Sequence, residues 1–125
     1  RKGLWTKSFC TSPDEAIYMA NSGVDNIIVH FGNSSGGTIG STSVMEREEA
    51  VARAAAICDV VCDKYPDIFI TCHGGGIETP EDFVAFLENE PRLDGYVGGS
   101  SAERFPVEES VPKATQGFKN VKLKK

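Results

Sequence analysis

The chain has 125 residues, of which 40% are hydrophobic and 25% charged, the composition of one ordinary soluble globular domain. Its formal charge of −5 argues against a nucleic-acid partner, because binding a phosphate backbone needs a basic surface. No apolar run reaches membrane-spanning length and no signal peptide opens the chain, so a cytoplasmic protein without a membrane partner is expected.

The first predicted element is a strand over 3–10, "GLWTKSFC". No methionine, cap or linker precedes it, which points to a segment of something longer. A helix over 12–23 follows, with Ser12 as N-cap, Pro13 as its first residue, Glu15 in a capping box and Gly23 as the stop. Residues 25–32, "DNIIVHFG", form an apolar run without alternation, as in a parallel-sheet strand covered on both faces. Residues 33–43, "NSSGGTIGSTS", make a glycine-rich loop longer than the usual βα connection, and long ordered loops usually carry function.

A long helix is expected over 44–65, where Ala50, Val51, Ala54, Ile57, Cys58, Val61, Cys62 and Tyr65 fall on one stripe. A third strand is expected over 67–74. A helix over 79–90 has Thr79 as N-cap, Pro80 after it and Asp82 at the capping-box position. A fourth strand covers 94–100, and a last helix over 106–120 is interrupted by Pro112. The domain then spans 1–118, with a solvated basic tail at 119–125. The four cysteines show no C-x-x-C zinc spacing and read as free, buried thiols of a reducing compartment.

Four successive βα units imply a parallel sheet with right-handed crossovers. The fold class is α/β, a TIM (βα)8-barrel type of which this chain supplies about four units, half a barrel. Four units alone leave both sheet edges open, so pairing with another copy or with a missing half barrel is expected.

Parallel strands deliver functional groups at their C-terminal ends. Both histidines fall there: His30 closes strand two and His73 closes strand three. Glycine clusters share the edge: Gly74, Gly75 and Gly76 after strand three, and Gly98, Gly99, Ser100 and Ser101 after strand four. Such glycines allow positive φ, close approach and exposed N–H groups, and a following helix adds a partial positive end, so a small anion is the expected ligand. In eight-unit barrels phosphate sits at the loops after the last two strands, which these two loops match. His30 and His73 serve as general acid or base, or as metal ligands; the plain alternative is hydrogen bonding to backbone at strand ends. Arg104 offers a clamp for phosphate or carboxylate, and Glu103 a carboxylate beside it, against a plain surface ion pair. Glu78 stands at the lip of the loop after strand three. Asn33, Ser34, Ser35 and Thr38 supply hydrogen bonds from the long loop, to substrate or to solvent. Cys72 should face away from His73 by strand alternation, which removes it as a nucleophile.

The stretches "HFGNSSGGTIG" (30–40), "CHGGGIETPEDF" (72–83) and "DGYVGGSSAERFPVE" (94–108) resemble the phosphoenolpyruvate hydrolase-like TIM-barrel family, whose domain also forms the C-terminal part of a plant antiviral resistance protein. The resemblance covers nearly the whole chain and places it as units five to eight. It carries over His30, Gly32, Gly36, Gly37, Gly40, His73, Gly74, Gly75, Ser100, Ser101, Glu103 and Arg104. Gly76, Phe31 and Phe105 depart from the family's usual proline, methionine and leucine, and "TKSFC" (6–10) lacks an expected proline. The resemblance implies an enzyme acting on a small phosphorylated or carboxylated metabolite of the 2-oxo acid or enol type. Gly36, Gly37 and the two later glycine loops would hold the anion with Arg104. His30 and His73 would move protons, and Glu103 would orient one of these groups or bind a divalent metal such as magnesium. The alternative is a non-catalytic metabolite- or nucleotide-binding regulatory module that works through protein contacts.

Overall fold

A computed structural model describes residues 2–122 of the chain. Four parallel strands, β1 (Lys7–Cys10), β2 (Asn26–His30), β3 (Phe69–His73) and β4 (Gly95–Tyr96), lie side by side in chain order. They alternate with α1 (Pro13–Asn21), α2 (Arg47–Val61), α3 (Pro80–Leu87) and α4 (Arg104–Lys119). The strand order never reverses, so the sheet is wound in one direction, as in half of a TIM-barrel set of βα units.

Strand alternation sorts the side chains into two faces. Cys10, Ile27, Val29, Ile70 and Cys72 join one core with Ala16 and Ala20 of α1, Ala54, Ile57, Cys58 and Val61 of α2, and Phe86 of α3. On the other face Phe9, Ile28 and Thr71 stand in register, flanked by Lys7, Asn26 and Phe69 on one side and by His30 and His73 on the other. The Thr71 hydroxyl donates to Asn26 Oδ1 at 3.1 Å across this face. The inner strand β2 is shielded on both faces, but Phe9 and Phe69 remain 53% and 52% exposed, with Trp5 edge-on to Phe69. Cys72 points into the helix-side core, as alternation requires, and burial pushes its thiol up to about 12.

Local chemistry explains the element ends. Ser12 caps α1 by accepting from Glu15 N–H, while the Glu15 carboxylate accepts from the Thr11 N–H and hydroxyl instead of closing the expected box. Thr79 and Asp82 do form a full capping box on α3. Several expected boundaries shift; α2 ends at Val61 and α3 at Leu87, short of the expected 65 and 90, and others have local causes. β1 starts at Lys7 rather than residue 3, because both Asp25 and Asn26 donate to Thr6 O and the Asp25 carboxylate accepts from Thr6 N–H, which ends the ladder there. α2 starts at Arg47 because Glu46 is extended, with ψ at 147°. β4 shrinks to Gly95–Tyr96: it pairs only with β3, and its contacts stop at the Val97 N–H to Cys72 O bond. α4 begins at Arg104 and runs through Pro112 without interruption. No residue of α4 is buried, so a carbonyl left unbonded by the proline can be satisfied by water. Of the basic tail, Asn120–Lys122 are exposed and residues 123–125 lie outside the described residues.

Thr79→Ala removes the hydroxyl half of the α3 capping box and leaves the Thr79 N–H donating to the Asp82 carboxylate. We expect it to cost about 1 kcal/mol in urea unfolding with an unchanged m-value; no loss would mean that α3 does not depend on its cap.

Candidate functional site

His30 and His73 are register partners at the C-terminal ends of β2 and β3. The pleat puts both on the face away from the helices, with ring centroids 5.5 Å apart. Phe9 of β1 meets each ring edge-on at 5.4 Å and fixes the layer below them. The strand ends are held by backbone: Phe31 N–H donates to His73 O at 3.0 Å, and the Arg53 guanidinium of α2 donates to His30 O at 2.9 Å. Each ring is also held through Nδ1. Gly32 N–H donates to Nδ1 of His30 at 3.2 Å, and Nδ1 of His73 lies 2.6 Å from the Val97 carbonyl.

The rings open on a cavity of about 470 Å³ bounded by Asn33, Ser34, Ile39, Gly40 and Ser41 of the long loop and by Ser100 and Arg104. The strand-four loop borders it as well. Among the described residues the N–H groups of Gly98, Gly99, Ser100 and Ser101 have no acceptor, whereas the carbonyls of Gly99 and Ser100 accept from residues 102–105 and open the first turns toward α4. Gly99 lies against the His73 ring: a Cβ there would sit 3.5 Å from Cε1.

The other expected site residues divide. Gly74 and Gly75 have φ of 82° and 62°, and a Cβ on Gly74 would lie 2.1 Å from Gly32 O. Their conformation brings the ends of β2 and β3 together. Gly76 and Gly98 border two other cavities, the first beside Phe31 and Phe86, the second beside Phe83 and Tyr96. Ser101 is tied to the Tyr96 hydroxyl at 3.1 Å. Gly36 and Gly37 are crowded by the Glu78 carboxylate and by Arg104 with Glu108. Arg104 forms an ion pair with Glu108 at 2.8 Å and donates to Gly36 O at 3.2 Å. Glu108 in turn accepts from Thr38 N–H at 2.8 Å, and Arg104, then Thr38, hold its carboxyl below the usual range. Arg104 is thus a strut between α4 and the loop that also shows its edge to the cavity. Ser35 is buried against Glu78 and the Gly75 carbonyl. Glu103 is exposed at the N-cap of α4, makes no cap bond, and does not border the cavity.

Among the described residues no three His, Cys, Asp or Glu side chains gather as they would around a metal. The residues do not fit the divalent metal considered for Glu103. Sequence reasoning passed over Phe9, the Val97 carbonyl, Ile39, Ser41 and Glu108. The i, i+4 spacing of Arg104 and Glu108 is a readable signal for one of these; a backbone carbonyl gives none.

The family model described as phosphoenolpyruvate hydrolase-like matches residues 1–121. The chain belongs to this family. It is 37% identical over 123 residues to the ToMV resistance protein Tm-1 of Solanum lycopersicum and, at the same identity, to that plant's ToMV susceptible protein tm-1. It is 30% identical over 121 residues to a putative transcriptional regulatory protein, y4pA, of Sinorhizobium fredii. These matches cover 98%, 98% and 97% of this chain but span only 16%, 16% and 20% of the relatives' lengths. Among the described residues no helix is long and apolar enough to cross a membrane.

Burial, then the His73 charge, then Arg53, hold His30 below its ordinary 6.5. The unfolded chain therefore binds a proton that the folded one resists, so stability falls as pH drops below 6.5 toward the folded midpoint. Titration of the His30 ring by NMR should give a midpoint below 6.5, and His30→Gln should flatten the loss of stability between pH 7 and 5. A His30 midpoint at or above 6.5 contradicts this.

Proposed function

We propose that this family member binds a small phosphorylated or carboxylated metabolite at the β2–β4 rim and turns it over with His30 and His73. The single observation that supports this most is convergence: two imidazoles, Ser100 and Arg104 line one polar cavity, and Gly99, whose N–H is unpaired like that of Ser100, lies against the His73 ring. Unpaired N–H groups ahead of a helix favour negative charge, and imidazoles move protons near neutral pH. Arg104 adds positive charge at the edge, offset in part by Glu108. The family description supports a phosphoenolpyruvate-like ligand.

A regulatory module that binds a metabolite or nucleotide without turnover is the second reading. It draws on the exposed Val107, Val111 and Phe118 of α4, and on relatives described as a resistance protein and a putative transcriptional regulator. In either reading the half-exposed aromatic face of the sheet is closed by further βα units, from a longer polypeptide or a second copy; native mass distinguishes these two.

Titration with phosphoenolpyruvate, pyruvate and inorganic phosphate, followed by amide NMR shifts and product release, tests the proposal. Shifts should centre on Gly99, Ser100 and both histidines. Ser100→Glu should weaken binding about tenfold or more by charge repulsion while leaving the fold intact. Shifts elsewhere, or none with any probe, would remove the anion site; binding without product would favour the module.

A further inference from the structure

The two imidazoles are both held through Nδ1, but their Nε2 atoms differ in whether they carry a hydrogen. The Val97 carbonyl, 2.6 Å from Nδ1 of His73, can only accept, so that nitrogen carries the hydrogen and, in the neutral ring, Nε2 of His73 keeps its lone pair. The Gly32 N–H can only donate, so Nδ1 of His30 keeps the lone pair and Nε2 of the neutral ring carries the hydrogen. Main-chain groups of β4 and of the turn after β2 thereby fix opposite tautomers on rings 5.5 Å apart. Beneath them Phe9 meets both rings edge-on and fixes their spacing. A second proton on His30 would have to displace the Gly32 N–H, and burial of the ring also opposes it. His30 is thus kept as a neutral donor.

From these paired tautomers we propose that His73 is the base and His30 the neutral hydrogen-bond donor of a proton abstraction next to a carbonyl, in a substrate that also carries an anionic group. This rests on the anion site proposed above. The carboxylate or phosphate would lie at the N–H groups of Gly99 and Ser100, beside the His73 ring. The α C–H bond breaks and its proton goes to Nε2 of His73, which becomes an imidazolium still donating through Nδ1 to Val97 O. The electron pair forms the enolate, whose oxygen accepts the Nε2 hydrogen of His30. Return of the proton from His73 restores the carbonyl compound, so nothing is oxidised and no co-reactant is needed. A neutral imidazole suits this role, since a donor that keeps its own proton stabilises a developing oxyanion without first ionising.

The test follows exchange of α hydrogens for deuterium in D2O by proton NMR, with pyruvate as the carboxylate probe and dihydroxyacetone phosphate as the phosphate probe. The parent chain should accelerate exchange of at least one, and the active probe identifies the anion recognised. His73→Asn keeps a donor near Val97 O but has no base; exchange should fall about 100-fold or more with binding unchanged. His30→Gln keeps a donor in place of Nε2 and should stay within about tenfold of the parent, whereas His30→Ala should lose about 100-fold. Nitrogen-15 spectra of the free protein read the tautomers independently of any ligand. Equal tautomers overturn the assignment, as do bound probes that do not exchange in the parent, or exchange that survives in His73→Asn. If neither probe shifts the Gly99 and Ser100 amides, the anion site falls first and this role with it.

Discussion

The parallel register of β2 on β3 is the constraint on which the rest of the rim depends. It sets His30 beside His73, Val29 beside Cys72 and Asn26 beside Phe69. A slip of either strand by one residue would turn its imidazole into the helix-side core and bring its Val29 or Cys72 out to the rim. The register is held where the core is densest, by Ile27, Val29, Ile70 and Cys72 packed on α1 and α2. The chemistry of the outer face is therefore secured by apolar burial on the inner one.

Glycine acts here mainly through approach distance. At Gly74 the chain comes so near the Gly32 carbonyl that no side chain fits, and that closeness lets the turns after β2 and β3 stand together above the histidines. The long loop is drawn down by charge. Arg104 and Glu108, one turn apart on α4, grip Thr38 and the Gly36 carbonyl. α4 buries none of its residues, so this grip is a main link between it and the rest of the domain.

Much of the architecture was legible in the sequence because its signals are local. Thr79 and Asp82 mark a helix start by capping chemistry, the run at 25–32 marks an inner strand, and alternation alone put Cys72 behind His73. The edge elements were read too long. Residues 3–6 carry apolar Leu4 and Trp5, and Val97 extends the apolar run of β4, but strand length is decided by what lies alongside, and β4 has a neighbour on one side only. Pro112 does not break α4, because a helix without buried residues has nothing that a bend would disturb. At the rim, residue types place both histidines at the C-terminal strand ends, where the parallel register sets them side by side. The sequence leaves Arg104 between an anion clamp and a surface ion pair with Glu103; in the structure its ion pair is with Glu108, one turn on along α4. Glu103 lies beyond the cavity because the turn ahead of α4 carries it outward. The proton on each imidazole is set by main-chain atoms of Gly32 and Val97, which no residue pattern encodes.

The bare aromatic face has a spectroscopic consequence. The chain's single tryptophan, Trp5, is 60% exposed and touches Phe69 at the foot of that face. Its fluorescence senses the polarity just where additional strands would lie. Should further strands cover that face, the indole would report it: emission characteristic of water marks the open face, and a blue shift would mark its enclosure, with no label attached.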